Sequence, residues 1–124
     1  HKMSENDAIS LKRIKLQLRE FAEARDWEQF HSPKNLSMAL SVEVAEILEH
    51  FQWLTEEQTK NLPQNKLDEV KKELADALIY LIRLADKLDI DLLTAAKSKI
   101  ELNEQKYPVG KAKGNAKKYT EFDN

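Results

Sequence analysis

Glu43 and Glu46 stand three residues apart in the segment SVEVAEILEHFQW, residues 41–53, and Glu73 and Asp76 repeat that spacing further along. Carboxylates three apart share one face of a helix, and Glu49 extends the first pair by another turn. No lysine or arginine occurs between Lys34 and Lys60, so nothing nearby in the chain neutralises the first group. If the two helices pack together, as short-loop neighbours in a bundle do, both pairs converge on one point. Four like charges gathered there would each lose hydration at a cost of several kcal/mol, and a divalent cation removes the conflict. Oxygen ligation without cysteine suits Mg²⁺, with Mn²⁺ as its close substitute, better than zinc. Either pair alone reads as a solvated helix face. The coincidence of both pairs, apolar neighbours and missing bases is what favours a metal site at Glu43, Glu46, Glu73 and Asp76. Glu49 fits equally a further ligand, a general base or a rim charge.

Other chemistries fail on their residue requirements. A di-iron bundle needs two Glu-x-x-His units, and this chain has one, Glu28 to His31, outside the acidic helices. No serine sits in a nucleophile-elbow context, and no glycine-rich loop cradles phosphate. Cysteine is absent, which removes thiolate chemistry and disulfides. Trp27 and Trp53 flank the helix that carries the first acidic pair. Each alone reads as core filling, but with His31, Tyr80 and a metal they become walls for a nucleobase.

The elements that must position these groups are helices. Apolar residues at helical spacing predict a first helix over about residues 5–25, with Ser4 or Asn6 as cap. DWEQFHSPKN reads as an irregular connection, and Asn35 can cap a second helix running from about Leu36 to Trp53. A polar loop with Pro63 leads to a third helix, about Gln64 to Leu88. Asp89 or Asp91 caps a fourth reaching Tyr107, which Pro108 and Gly110 end. On the third helix Val70, Leu74, Ala77, Leu78 and Leu81 form an apolar stripe opposite Glu73, Asp76, Tyr80, Arg83 and Lys87. The second helix has no broad polar face, and a helix apolar all round is buried on more than one side. In a chain this short that predicts packing between subunits.

The 124 residues suit one domain, here residues 4–124, with the opening His-Lys read as a tag remnant. The net charge of −2 and a pI near 6.0 lack the basic footprint of a nucleic-acid partner. No apolar run suits a membrane span, so we expect no membrane association and a cytoplasmic location. Basic charge gathers in the tail over about residues 108–124, where Lys111, Lys113, Lys117 and Lys118 could partner phosphates.

EVAEILEHFQW followed by ELADALIYL resembles the all-α nucleoside triphosphate pyrophosphohydrolases of the MazG type, marked by Glu-Glu-x-x-Glu and a later Glu-x-x-Asp. FAEARDWEQFHSPKNL, KYP and the closing KKYTEF resemble the dCTP pyrophosphatase branch in particular, and the similarity spans roughly residues 9–122. The resemblance implies a four-helix core, assembly as dimers or dimers of dimers, and Mg²⁺ on Glu43, Glu46, Glu73 and Asp76. It also implies a base and sugar pocket lined by Trp27, His31, Trp53 and Tyr80, with Asn103, Lys111 and Lys113 near the phosphates. Val42 stands where the hallmark's first glutamate would be, and Leu18 where some relatives carry a histidine. The implied reaction is Mg²⁺-dependent hydrolysis of a deoxynucleoside triphosphate to monophosphate and pyrophosphate, sanitising the nucleotide pool. dCTP or a modified dCTP is the expected substrate, and Glu46 or Glu49 the expected base. The alternatives are another substrate (dUTP, dATP or a damaged purine nucleotide) and a helical scaffold without catalysis.

Overall fold

A computed structural model describes residues 9–114, and among them every regular element is helical. Helix α1 spans Leu11–Ala24, α2 Pro33–Phe51, α3 Glu56–Thr59, α4 Gln64–Lys87, α5 Leu92–Lys106 and α6 Val109–Ala112, with a 3₁₀ turn at Glu28–Phe30. The chain divides into two compact units, one running to Asp89 and one starting at Ile90. The four long helices stand where apolar spacing places them, and their ends carry the corrections.

Ser10, rather than an earlier residue, caps α1 by accepting from the Arg13 amide at 3.1 Å; Ser4 and Asn6 lie outside the described residues. Helix α2 begins three residues before the expected Leu36, because Ser32 is extended (φ −72°, ψ 156°) and Pro33 enters at the first turn. Proline there lacks an N–H that would have had no partner anyway, and its fixed φ is already helical. Asn35 is therefore inside the helix. Its amide N–H is capped by Ser32 Oγ, and its side chain donates to the Phe30 carbonyl at 3.0 Å. The loop expected around Pro63 contains α3, held by a reciprocal capping box between Thr55 and Gln58. Asp91, one of the two expected caps, caps α5. Gly110 does not end that helix but sits within α6, which follows Pro108.

In the first unit α2 and α4 form the principal interface, and α1 packs on α4. The covered flank of α4 is the stripe Lys66, Val70, Glu73, Ala77, Tyr80, Leu84 and Lys87, every member buried or half-buried. This corrects the expected apolar stripe by about one position of rotation. Leu74, Leu78 and Leu81 remain exposed, Leu74 to 53%, while Arg83, assigned to the polar face, is only 3% exposed. The matching covered flank of α2 is Leu36, Leu40, Glu43, Ile47 and His50, with Glu46 beside it. Two flanks that each carry acids have been pressed together. Leu36 and Ile82 are the largest fully buried side chains, and burial of one leucine supplies roughly 1.5–3 kcal/mol. That is enough, over the whole interface, to carry the cost of half-burying carboxylates. In the second unit no residue of α5 is buried.

Candidate functional site

Helical spacing puts Glu43 and Glu46 on the side of α2 that α4 covers, and Glu73 on the opposing flank of α4. Each offers one carboxylate oxygen, and these three atoms lie within 4.8 Å of one another, all on half-buried residues. Glu43 Oε2 and Glu73 Oε2 are buried and have no hydrogen-bond partner. Burial pushes the Glu43 carboxyl above the ordinary carboxylate value, reinforced by a hydrogen bond with Glu46 and by the charges of Glu46, Asp76 and Glu73. Among the described residues no lysine or arginine pairs with the three. A buried acceptor left without a donor costs about 1–3 kcal/mol, more when charged. This chain keeps two such oxygens on residues of one acidic cluster, and a hard divalent cation is the kind of group whose binding satisfies them.

Asp76 is exposed and lies outside the closely spaced trio, although its charge acts on Glu43. Glu49 is exposed on the next turn of α2. His50, which shares the arc of Glu43 and Glu46 but to which the sequence assigns no role, stands closer. His50 Nε2 lies 3.5 Å from Glu73 Oε1, with only 13% of the His50 side chain exposed. Its signal was present, because position 50 follows Glu43 and Glu46 by seven and four residues and so falls on their arc.

Trp27 and His31 are brought together, their rings 6.2 Å apart and tilted by 58°. A left-handed residue places them. After α1 the chain turns at Asp26 (φ 54°), with the Trp27 amide donating to Ala22 and the Asp26 amide to Glu23. Trp27 then meets Phe21 edge-on at 5.6 Å, and the Arg25 guanidinium stacks over Phe21 at 3.6 Å. Trp53 lies beyond the end of α2 and is 85% exposed, and Tyr80 is half-buried on the covered flank of α4. Among the described residues neither stacks on another ring. Asn103 on α5, Lys111 on α6 and Lys113 just after it are exposed residues of the second unit. Lys117, Lys118 and KKYTEF lie outside the described residues.

A surface cavity of about 670 Å³, bounded by Leu54, Gln58, Leu62, Pro63 and Lys66 among others, contains none of the expected site residues. No helix of the described residues is long and apolar enough to cross a membrane.

Comparison with known proteins bears on this geometry. The profile of the MazG-like family matches residues 38–122, which covers both acid pairs. The chain is similar to dCTP pyrophosphatase 1 of Mus musculus, 47% identical over 83% of this chain, and to that of Homo sapiens, 43% identical over the same share. It spans 62% of the length of these two relatives. Among solved structures it is similar to a pyrophosphatase from Archaeoglobus fulgidus, with a TM-score of 0.76 and 39% identity, covering 87% of this chain and 97% of that one.

Proposed function

The chain belongs to the MazG-like family, and from that premise we propose that it hydrolyses a deoxynucleoside triphosphate, dCTP or a modified dCTP, to the monophosphate and pyrophosphate. One observation carries the reading: three carboxylates within 4.8 Å of one another, two of their oxygens buried without a donor, and, among the described residues, no lysine or arginine set against them. The similar dCTP pyrophosphatases support the choice of nucleotide.

Glu43, Glu46 and Glu73 would hold Mg²⁺, with Asp76 completing the set from the adjoining turn of α4. Bound there, the ion supplies neutralising charge to the phosphates and lowers the pKa of an attacking water. Glu43, whose own carboxyl is pushed up by burial, gains most from a cation and serves as an anchoring ligand. The water's proton goes to Glu46 or to Glu49, whichever carboxylate keeps a free oxygen. Glu49→Gln decides between the two: if Glu49 is the base, its loss lowers kcat and leaves metal affinity in place, whereas an unchanged kcat assigns the proton to Glu46, whose own substitution, as that of a ligand, lowers both. Trp27 and His31 supply a face for the base, Trp53 and Tyr80 further walls, and Asn103, Lys111 and Lys113 contacts for the phosphates.

The exposed leucines of α4 (Leu67, Leu74, Leu78 and Leu81), with Met38, Val42, Val44 and Leu48 of α2, support assembly into a homo-oligomer, a dimer of dimers. The whole is then read as one cytoplasmic MazG-like domain. A panel of nucleoside triphosphates with Mg²⁺, followed by pyrophosphate release, tests the substrate. The expected result is fastest turnover of dCTP or 5-methyl-dCTP. Faster turnover of dUTP, dATP or a damaged purine nucleotide moves the assignment within the family, and no turnover of any of them supports the scaffold.

A further inference from the structure

Glu28 and His31, the Glu-x-x-His unit set aside for di-iron chemistry, bracket the 3₁₀ turn and both meet Arg83 of α4. Arg83 Nη2 donates to Glu28 Oε1 at 2.7 Å and lies 3.2 Å from His31 Nδ1. Arg83 Nη1 faces Asp86 Oδ2 at 3.6 Å, and Asp86 is gripped in turn by Arg19 through two hydrogen bonds of 2.7 and 2.6 Å. Lys87 Nζ donates to the other oxygen of Glu28. With 3% exposure and acids on two sides, the Arg83 guanidinium has little freedom to move.

A guanidinium carries donors only and does not deprotonate in proteins. Nδ1 of His31 can therefore face it only as an acceptor, which requires a neutral ring with its proton on Nε2. Among the described residues that Nε2–H has no acceptor. We propose that Arg83, locked by Glu28 and Asp86, is a positioning residue that fixes His31 as the neutral Nε2–H tautomer, so that beside Trp27 the ring offers one N–H donor to an acceptor of the bound nucleoside. The charged groups acting on the ring agree with this. Burial, then Arg83 and Lys87, hold its pKa below the ordinary value of 6.5 against the opposing pull of Glu28. The tautomer stands independently of the function proposed above; the nucleoside acceptor rests on it.

The first measurement needs no nucleotide: two-bond ¹H–¹⁵N spectra of the histidine-labelled full chain, titrated from neutral pH downwards. The expected spectrum shows Nε2 protonated and Nδ1 bare, persisting below pH 6.5. A ring protonated on Nδ1, or charged at neutral pH, overturns the proposal. The second uses steady-state kinetics of two variants, since Arg83→Met risks the fold. His31→Gln sets an amide N–H near the place of Nε2, and His31→Asn near that of Nδ1. Loss of one neutral hydrogen bond predicts a KM for dCTP raised roughly 10-fold in His31→Asn, with kcat little changed and most of the loss recovered in His31→Gln. Equal losses in both variants, or a loss in kcat alone, contradict the donor role. Repeating the comparison with 2-thio-dCTP and 2′,3′-dideoxy-CTP identifies the acceptor as base carbonyl or sugar hydroxyl by the analogue that no longer separates wild type from His31→Asn; separation that survives with both analogues rejects a nucleoside acceptor. A wild-type chain that hydrolyses no nucleoside triphosphate removes the functional reading, while the spectra still decide the tautomer.

Discussion

Helix α4 meets charge in two places and treats it oppositely. Near its middle, Glu73 faces Glu43 and Glu46 of α2, acids against acids. Ten residues on, about 15 Å along the helix, Arg83, Asp86 and Lys87 join Glu28 and Arg19 in a chain of alternating sign, Arg19–Asp86–Arg83–Glu28–Lys87. In the second place acids and bases pair within the protein, with Arg83 Nε alone among the cluster's described buried atoms left without an acceptor, and the result is architecture: α1, the 3₁₀ turn and α4 are tied together. In the first, among the described residues, no lysine or arginine faces the acids, His50 alone approaches Glu73 at 3.5 Å, and two buried oxygens have no donor. This contrast between the middle and the end of α4 is what supports the proposed cation site at the acids.

The contrast breaks most visibly under substitution. Glu73→Gln should cut nucleotide hydrolysis by about 10³-fold, the loss of several kcal/mol of transition-state stabilisation, while leaving the metal-free fold as stable as before or more so. Pyrophosphate release and thermal melting report the two halves of that expectation, and a large loss of stability would place Glu73 in the architecture instead. Arg83→Met reverses the pattern. It strands Glu28 and Asp86 with one partner each and should destabilise by about 3 kcal/mol, visible in chemical denaturation. Next in size is the ligand effect: Mg²⁺ with a non-hydrolysable dCTP analogue, at 100 times its dissociation constant, should stabilise the wild type by about 2.7 kcal/mol and Glu43→Gln by far less.

The smallest effect is with acid. Arg19, through its hydrogen bond, holds the Asp86 carboxyl below the ordinary 3.8, and Lys87 and Arg83 hold Glu28 below 4.5. The unfolded chain thus takes up these protons first. The stability they contribute is whole above those values and is lost as pH falls through the lower, folded ones. Melting temperatures between pH 5 and 2 should show a decline that flattens in Asp86→Asn; an unchanged slope would mean the alternating chain contributes nothing to folding.

Much of this division was legible in the residues. The helical class, the bounds of α4 and the three acids of the trio follow from spacing alone, because apolar periodicity and i, i+3 neighbours are properties of one helix at a time. What depends on a second element was hidden. The stripe of α4 that α2 covers is not its most apolar one, so ranking by hydrophobicity pointed about one residue around the helix, to leucines that the chain itself leaves uncovered. Arg83 looked like a surface cation because its partners, Glu28 and His31, lie 55 and 52 residues away. The turn that sets Trp27 was missed for a local reason: its left-handed position is occupied by Asp26, where glycine would have announced it. Ser32 ahead of Pro33 is a legible start for α2, but Asn35 three residues on is a cap of the same chemical type, and spacing alone does not choose between them.

If the trio of Glu43, Glu46 and Glu73 holds a cation, the ion must be visible between its carboxylates. Crystals of the wild type soaked with Mn²⁺ and a non-hydrolysable dCTP analogue, with anomalous data collected, test it most directly. The expected map has an anomalous peak about 2.0–2.3 Å from oxygens of all three carboxylates, lost in Glu43→Gln. A map with no peak between them, or side chains turned apart into solvent with nucleotide bound, would contradict it.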